Sequence, residues 1–583
     1  MNRAAGEPEL LFLPLGGAGE IGMNLNLYCY DDQWLMVDLG ITFADEELPG
    51  IDVILPDPTF IVENRDKLIG LVLTHAHEDH LGAVPYLWAR LKCPVYATPF
   101  SAAVLRRKMS RDGATFGAER MEITEIPLGG RFTLGPFDIE LISLTHSIPE
   151  PNALAIRTPA GTVLHTGDWK LDPDPVVGAV TDEAALKALG DEGVLAMVCD
   201  STNVFHEGEA GSEAGLFDNI SELIAGASGR VAVACFASNV ARVNTIARAA
   251  EANGRDVALV GPSLWRITEA ARETGYLDDV PAFLSDRDAA HLPDDKVLFL
   301  CTGSQGEPRA ALSRIADDDH GHVTLGQGDL VIFSSKIIPG NELSINRLHN
   351  KLIALGVEIA TEDDHAIHVS GHPCRDELSR MYQWVRPTIA VPVHGEARHL
   401  VEHVRFAETL QVEQSVLVEN GALLRLAPGP AQIVDCVHAG RLIADGSTLV
   451  GVESHTLQER RRIMWNGVAF VSLVVGGDGA LLADPKVSAQ GLLHDGPDED
   501  KAEAVLAAVA LDVRDAVRAL TTRARRSDEA LSDAARVAVR RHLKAARDKR
   551  PVVEVQITRL KAAAPICLDP GRMRPGWMRK KQQ

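Results

Sequence analysis

No apolar run in the 583-residue chain reaches the roughly 18 residues needed to span a bilayer, and Met1-Asn2-Arg3-Ala4-Ala5-Gly6-Glu7 lacks the apolar core of a signal peptide. These absences predict a cytoplasmic protein with no membrane partner. The eight cysteines (Cys29, Cys93, Cys199, Cys235, Cys301, Cys374, Cys436 and Cys567) are scattered without C-x-x-C spacing. That argues against a disulfide framework or a cysteine-ligated zinc, and for a reducing compartment. Excess positive charge is missing too: 58 Lys and Arg stand against 81 Asp and Glu, a net charge of −23. Such a balance argues against non-specific coating of duplexes, although binding depends on a local basic track rather than on the total. Hydrophobic content of 46% and charged content of 24% are those of a globular protein. At about 150 residues per domain, the length predicts three or four units.

What is present is concentrated in Leu71 to Gly82, reading LVLTHAHEDHLG. The apolar run Gly70-Leu71-Val72-Leu73 reads as a buried strand that delivers His75, His77, Glu78, Asp79 and His80 into a loop. A single histidine beside a strand is usually a satisfied hydrogen-bonding residue. Burying this many polar groups without a metal would cost about 1 to 3 kcal/mol for each one left unpaired. Zinc accepts imidazole nitrogen and carboxylate oxygen, and a two-metal hydrolytic centre needs two ligand clusters about 3.5 to 4 Å apart. His75 and His77 can face one ion while Asp79 and His80 face the other.

This H-x-H-x-D-H pattern resembles the metallo-β-lactamase superfamily. The resemblance implies a downstream His at a strand end, then an Asp, then a late His. The chain supplies His146 in Leu144-Thr145-His146-Ser147, Asp168 in His165-Thr166-Gly167-Asp168, and His394 in Val391-Pro392-Val393-His394-Gly395. By that analogy His75, His77 and His146 hold one zinc, Asp79, His80 and His394 hold a second, and Asp168 bridges them. Asp38, in Val37-Asp38-Leu39-Gly40, reads either as a carboxylate orienting a ligand histidine or as a turn aspartate. Asp200 closes the buried run Ala196 to Asp200 in the same fashion. Family members also hold a structural calcium, which would lie here near Gly50 to Asp57 with help from Asp445.

Along the chain, Gly16-Gly17-Ala18-Gly19-Glu20-Ile21-Gly22 looks superficially like a nucleotide loop, but the segments that follow, Leu25 to Tyr30 and Trp34 to Asp38, read as strands. Leu81 to Leu91 reads as a helix interrupted by Pro85. Beyond residue 205, helical periodicity at Ser212 to Ala227, Asn239 to Asn253 and Ser263 to Thr274 alternates with strand-like Val231 to Cys235, Val257 to Val260 and Val297 to Cys301. This is an α/β unit inserted between the bridging Asp and the last His.

Such an insertion is the β-CASP arrangement of nucleases. The chain resembles the bacterial ribonuclease J family in Asp200-Ser201-Thr202-Asn203, Phe236-Ala237-Ser238-Asn239, Thr302-Gly303-Ser304-Gln305-Gly306-Glu307-Pro308, Pro339-Gly340-Asn341-Glu342 and His368-Val369-Ser370-Gly371-His372. It departs from that pattern at Gly261-Pro262-Ser263-Leu264-Trp265 and at Val240-Ala241-Arg242. The fold class implied is α/β: a metallo-β-lactamase αββα sandwich with an inserted β-CASP domain and a small C-terminal α/β domain. The expected layout is lactamase-type residues 1–205, β-CASP residues 206–362, a lactamase-type return at 363–428, a linker at 429–452 and a C-terminal domain at 453–583. Two helices, from Asp500 to Arg523 and Asp528 to Asp548, and a basic tail from Arg572 to Lys581 belong to that last part. The tail reads as RNA-touching or as a solvated end.

The resemblance implies a zinc-dependent ribonuclease with 5′ to 3′ exonuclease and endonuclease activity on single-stranded RNA, serving RNA maturation and mRNA decay. Two zinc ions would lower the pKa of a shared water and offset charge on the phosphate. Asp79, Asp168 and His372 would carry the chemistry, with His372 delivering the proton. The loop His368, Val369, Ser370, Gly371 and His372 would hold the scissile phosphate. Ser238 and Asn239 at a helix start, with Ser304 and Gln305, would form a 5′-monophosphate pocket, although Ser238 and Asn239 also suit a plain N-cap. A homodimer or homotetramer through the C-terminal region and contacts with other RNA-decay proteins are expected. The alternatives are a β-CASP DNA-processing nuclease and a non-catalytic scaffold of an RNA-degrading complex.

Overall fold

The computed structural model describes residues 8–44, 48–118, 120–338, 340–493 and 499–560. It divides into two compact units, Met1–Phe43 with Asp52–Gly451, and Ala44–Ile51 with Val452–Gln583.

In the first unit two sheets face each other. One runs Gln432–Cys436, Ala422–Ala427, Leu10–Gly16, Leu25–Tyr30, Gln33–Val37, Leu68–Val72, Val95–Ala97, Ile123–Glu125. The other runs Arg131–Leu134, Phe137–Ser143, Asn152–Thr158, Gly161–His165, Ala196–Asp200, Ile389–Val393, Gln414–Ser415. Alternate residues explain the sandwich. Phe12, Tyr28, Leu35 and Val37 from the first sheet meet Ile139, Leu154, Ile156, Val198 and Val391 from the second in one dry core. The opposite faces are also buried, under helices such as Val84–Leu91 and Pro99–Lys108 on the first sheet and Glu183–Glu192 and Arg375–Val385 on the second.

The inserted unit is a parallel sheet ordered Leu284–Ser285, Asp256–Val260, Val297–Cys301, Val231–Ala234, Leu330–Phe333, Glu358–Ala360. Its central strands are continuous apolar runs (VAVA, VLFLC, LVIF), as sheets buried on both faces require. Ser212 to Ala227 resolves into a short 3-10 turn, Glu213–Leu216, and the helix Phe217–Gly226. The supposed break at Pro85 lies elsewhere: the helices are Glu78–Leu81 and Val84–Leu91, so Pro85 occupies a first-turn position where its missing N–H costs nothing. Residues 429–452 contribute strands to the first unit. Gln432–Cys436 pairs with Ala422–Ala427, and Arg441–Asp445 pairs with Val53–Pro56.

In the second unit, Lys486–Gln490, Val468–Gly476 and Val552–Leu560 form a sheet. One face buries Ala469, Val471, Leu473 and Val475 against Val509, Val513, Leu531, Val539 and Leu543 of two helices. The segment read as one helix to Arg523 stops at Ala519 and resumes as Thr522–Arg525, with Thr521 capping the second piece. The tail from Arg572 to Lys581 lies outside the described residues.

A buried ionic chain runs from the lactamase-type sheet into the insertion. Lys170 Nζ meets Asp172 Oδ2 at 2.9 Å, the same oxygen accepts the Glu213 backbone N–H at 2.9 Å, and Glu213 pairs with Arg242 at 3.1 Å. Removing one member strands its partner in low dielectric. Arg242→Met should lower the stability of the first unit by about 3 to 5 kcal/mol. Glu213→Leu in the same chain should recover much of that loss, read as the denaturation midpoint.

Candidate metal centre

Three parallel strands set the site. Gly161–His165, Ala196–Asp200 and Ile389–Val393 run side by side in one direction. Asp168, Asp200 and His394 therefore emerge at one edge. The strand Leu68–Val72 delivers His75 and His77, and Asp79 and His80 occupy the first turn of Glu78–Leu81. Residues 38–41 brace this loop: the Leu39 N–H donates to His80 O at 2.6 Å and the Ile41 N–H to Glu78 O at 3.0 Å. Gly40 is required there, because a Cβ would lie 1.6 Å from Asp79 O. His394 takes a left-handed φ of 52°, which turns its ring away from the strand's regular alternation.

The side chains gather in two groups sharing Asp168: His75, His77 and His146, and Asp79, His80 and His394, each set with its ligand atoms within 4.8 Å of one another. His77 Nδ1 lies 3.0 Å from both His75 Nε2 and His146 Nε2. Asp168 Oδ2 is 3.1 Å from His394 Nε2, 3.2 Å from His80 Nε2 and 3.9 Å from His75 and His146 Nε2. Asp79 Oδ2 stands 3.6 Å from His80 and His394. Such spacings are the edges of coordination shells whose bonds are about 2.0 to 2.2 Å. The donor set fits divalent cations on a further observation: Asp168 Oδ1 is buried with no hydrogen-bond partner. A cation would satisfy an oxygen that is otherwise costly to bury.

Protonation favours the same chemistry in the first group, whereas burial at His80 is outweighed by Asp168, Asp79 and Asp38, which raise its pKa. Burial, reinforced by neighbouring imidazoles, holds His75 and His146 well below the ordinary histidine pKa. Burial pushes His77 down to about 4. These rings present lone pairs rather than protons. Burial opposes charge on Asp168 too, yet His394, His80 and His372 outweigh it and keep the carboxyl ionised.

Supporting groups fix the ligands. Asp38, fully buried, accepts from Thr74 N–H and Thr74 Oγ1, both at 2.8 Å, and its Oδ2 lies 2.7 Å from His80 Nδ1. Its geometry is that of a carboxylate orienting a ligand histidine. Gly371 O receives His146 Nδ1. Asp200 Oδ2 lies 2.8 Å from His372 Nδ1 while Oδ1 accepts from Thr202. Burial works against charge on His372, but Asp200, Asp168 and Asp79 overcome it and lift its pKa to about 9. Glu78 does not join the cluster; Lys108 Nζ holds both its oxygens, at 2.6 and 2.8 Å.

Residues 368–372, expected to hold the scissile phosphate, stand beside this centre. Ser370 Oγ accepts from Asn203 Nδ2 at 2.7 Å and from the His372 N–H at 3.2 Å. Val369 is half-buried, with Gly211 packed closely against it. Gly371 lies so close to His146 that a Cβ would sit 2.6 Å from its ring. His368 faces inward: its Nδ1 is 3.4 Å from Arg242 Nη1, and burial, then Arg242 and Lys336, push its pKa down to about 2.

The remaining candidates sit farther into the insertion. Asn239 Oδ1 caps Val240–Ala252 through the Arg242 N–H at 2.9 Å, and its Nδ2 donates to Glu213. Ser238 is half-buried, with its carbonyl accepting from Val240. Ser304 is buried, and the Gln305 amide bonds Lys336 O, Ile338 N and Asn341 Nδ2. Thr74, Asn203 and Arg242 stood within quoted motifs without being given a role, and Glu213 was not singled out. Thr74 adjoins the ligand run and Arg242 is the one charge in the first two turns of an apolar helix, which were the available signals.

Family models match four segments: the metallo-β-lactamase superfamily at residues 23–196, the ribonuclease J β-CASP domain at 228–352, the Zn-dependent metallo-hydrolase RNA specificity domain at 356–416 and the ribonuclease J C-terminal domain at 455–560. Ribonuclease J of Sinorhizobium meliloti is 46% identical, over 95% of this chain and 98% of the relative. Ribonuclease J of Mycolicibacterium smegmatis is 40% identical, over 85% and 90%. A solved protein of unknown function from Enterococcus faecalis V583 shares the fold at a TM-score of 0.51 and 15% identity, covering 72% of this chain and all of that one.

Asp38→Asn would keep the shape but lose the anion that orients His80. Metal affinity should fall about 10- to 100-fold, measured as metal retained against a competing chelator.

Proposed function

The chain belongs to the ribonuclease J family and is a metal-dependent ribonuclease; from that premise we propose that it holds two zinc ions and degrades 5′-monophosphorylated, single-stranded RNA 5′ to 3′ while also cleaving internally. The observation that carries this reading is the convergence of two ligand groups on Asp168. We assign His75, His77 and His146 to one zinc, Asp79, His80 and His394 to the other, and Asp168 to both. Zinc bound there would acidify water and offset charge on the phosphate oxygens. Asp79 and Asp168 orient the reacting groups. Ser370, whose oxygen already accepts twice, directs its own O–H at the phosphate. His372 keeps Nδ1 on Asp200 and gives its Nε2 proton to the departing 3′ oxygen, leaving a 5′-phosphate and a 3′-hydroxyl. His368, held neutral against Arg242, positions the loop rather than supplying a proton.

The 5′-phosphate pocket falls to Ser238 and Ser304, since the side-chain amides of Asn239 and Gln305 are engaged within the fold. A structural calcium would sit where Asp445 comes opposite Asp52, two residues along from the Ile443 and Ile54 pair. The Asp57 carboxylate is held by Thr59 and His438. We further propose a cytoplasmic enzyme of RNA maturation and mRNA decay that assembles through its second unit as a dimer or tetramer and meets other RNA-decay proteins. Among the described residues no helix is long and apolar enough to cross a membrane. The open sheet face of the second unit exposes Phe470 at 42%.

Asp79→Ala and His80→Ala should abolish RNA cleavage and lower zinc content; the unfolding midpoint should stay near that of the parent in Asp79→Ala and fall in His80→Ala, which strands buried Asp38. Wild-type turnover in either would refute the assignment. On one labelled RNA bearing a 5′-monophosphate, a triphosphate or a hydroxyl, the monophosphate form should be degraded fastest. Ser238→Ala with Ser304→Ala should slow that reaction by about one to four powers of ten and internal cleavage much less. A chain ending at Gly451 should have a smaller assembly by light scattering; an unchanged subunit number would rule out assembly through the second unit.

A further inference from the structure

Phe205 exposes 47% of its surface although its loop is held firmly. The His206 N–H donates to Asn203 O at 2.8 Å, Arg375 Nε donates to Val204 O at 2.8 Å, and the Arg375 N–H donates to His206 O at 2.9 Å. The same loop reaches the chemistry. Asn203 Nδ2 bonds Ser370 Oγ and His372 O, at 2.7 and 2.9 Å, and Thr202 Oγ1 bonds His394 O at 3.1 Å. One ring edge rests on buried His399, with centroids 5.4 Å apart and planes at 63°. Arg398 brings its guanidinium carbon to 5.7 Å from the ring centroid, and Lys336 Nζ lies 3.3 Å from His206 Nε2. Arg398 also meets Glu396 at 3.1 Å, and Glu207 meets Arg375 at 3.1 Å, so acids share this rim. The hydrogen bonds that fix its loop are made by backbone and by other side chains. A rigid, half-exposed aromatic beside cations is what stacking on a nucleobase calls for, because each base offers a π-face and the cations answer the backbone.

We propose that Phe205, with Arg398 beside it and Lys336 at the adjoining His206, is a stacking platform for one base of the RNA next to the metal centre. The inference rests on the ribonuclease reading above. Stacking is indifferent to base identity, so the platform fixes register on the strand without imposing a sequence. It acts on binding and position, and leaves proton transfer to His372.

The test uses the full-length zinc enzyme and RNA oligonucleotides with a single abasic nucleotide moved along the strand. In the parent, one abasic position near the cleaved bond should raise KM about tenfold. Phe205→Ala should raise KM about tenfold on intact RNA, leave kcat and zinc content unchanged, and show no added penalty at that position. Phe205→Trp should restore both the low KM and the penalty. Phe205→Leu keeps the apolar contact with His399 without a π-face, and should behave as Phe205→Ala does. An unchanged KM in Phe205→Ala and Phe205→Leu, or a full abasic penalty in both, overturns the platform. A parent enzyme that leaves every RNA intact overturns the ribonuclease reading and the platform with it.

Discussion

Asp168 Oδ2 lies within 3.1 to 4.0 Å of five imidazole nitrogens, those of His394, His80, His75, His146 and His372. Neutral imidazoles facing one another lone pair to lone pair repel, and protonated ones repel more. A carboxylate at their centre offsets the charge of protonated rings, and cations between ring nitrogens and oxygen would relieve the lone-pair repulsion. The surrounding fold holds groups together that would otherwise separate. Asp38 and Gly371 O each engage a ring at the nitrogen away from Asp168, which fixes where Nε2 of His80 and His146 points, and Asp200 holds His372 at Nδ1. Preorganisation of this kind places the cost of ordering in folding rather than in metal or substrate binding.

The same constraint ties the insertion to the centre. Lys170 stands two residues past Asp168, and through Asp172 and Glu213 it is linked to Arg242, whose Nη1 donates to Ser334 and to the carbonyl of Ile367, beside His368. Glu150 makes a second link. Its Oε2 accepts the Phe100 N–H at 2.7 Å and its Oε1 the Tyr276 hydroxyl at 2.9 Å, four residues after His146. A shift of the insertion would therefore strand buried charges before it moved the phosphate loop. Buried pairs add little net stability, but breaking one is expensive, and this asymmetry specifies geometry.

The residues that make the metal centre were legible because they combine short spacing with chemistry that has few other uses. His75, His77, Asp79 and His80 stand within six positions, and strand-end placement pointed to His146, Asp168 and His394 once a family resemblance was in view. The α/β character of the insertion was legible from apolar runs such as VLFLC alternating with helical periodicity, and the sandwich followed from the family resemblance. What stayed hidden depends on long-range contacts. Glu213 and Arg242 are 29 residues apart, and nothing in either neighbourhood signals the other. Asn239 and Gln305 carry the right functional groups for a phosphate pocket, but the fold engages both internally. Helix breaks near Pro85 and Leu520 were misread because cap and first-turn chemistry moves boundaries by a few residues.

The acidic balance of −23 and an RNA substrate are compatible because net charge and local field are different quantities. Many surface cations here are paired and weakly directed: Arg106 with Glu125, Lys187 with Glu183, Arg248 with Asp279. Around the centre the arrangement differs. Lys336 Nζ lies 3.3 Å from His206 Nε2 and also acts on Glu362, and it depresses His206 and His368 after burial has done so. Bound divalent cations would add positive charge where Asp79 and Asp168 converge. An RNA strand would then meet attraction at the metal centre, against a chain of net negative charge. The acidic surface thus narrows where RNA can settle, while the metal centre and the cations beside it supply the affinity.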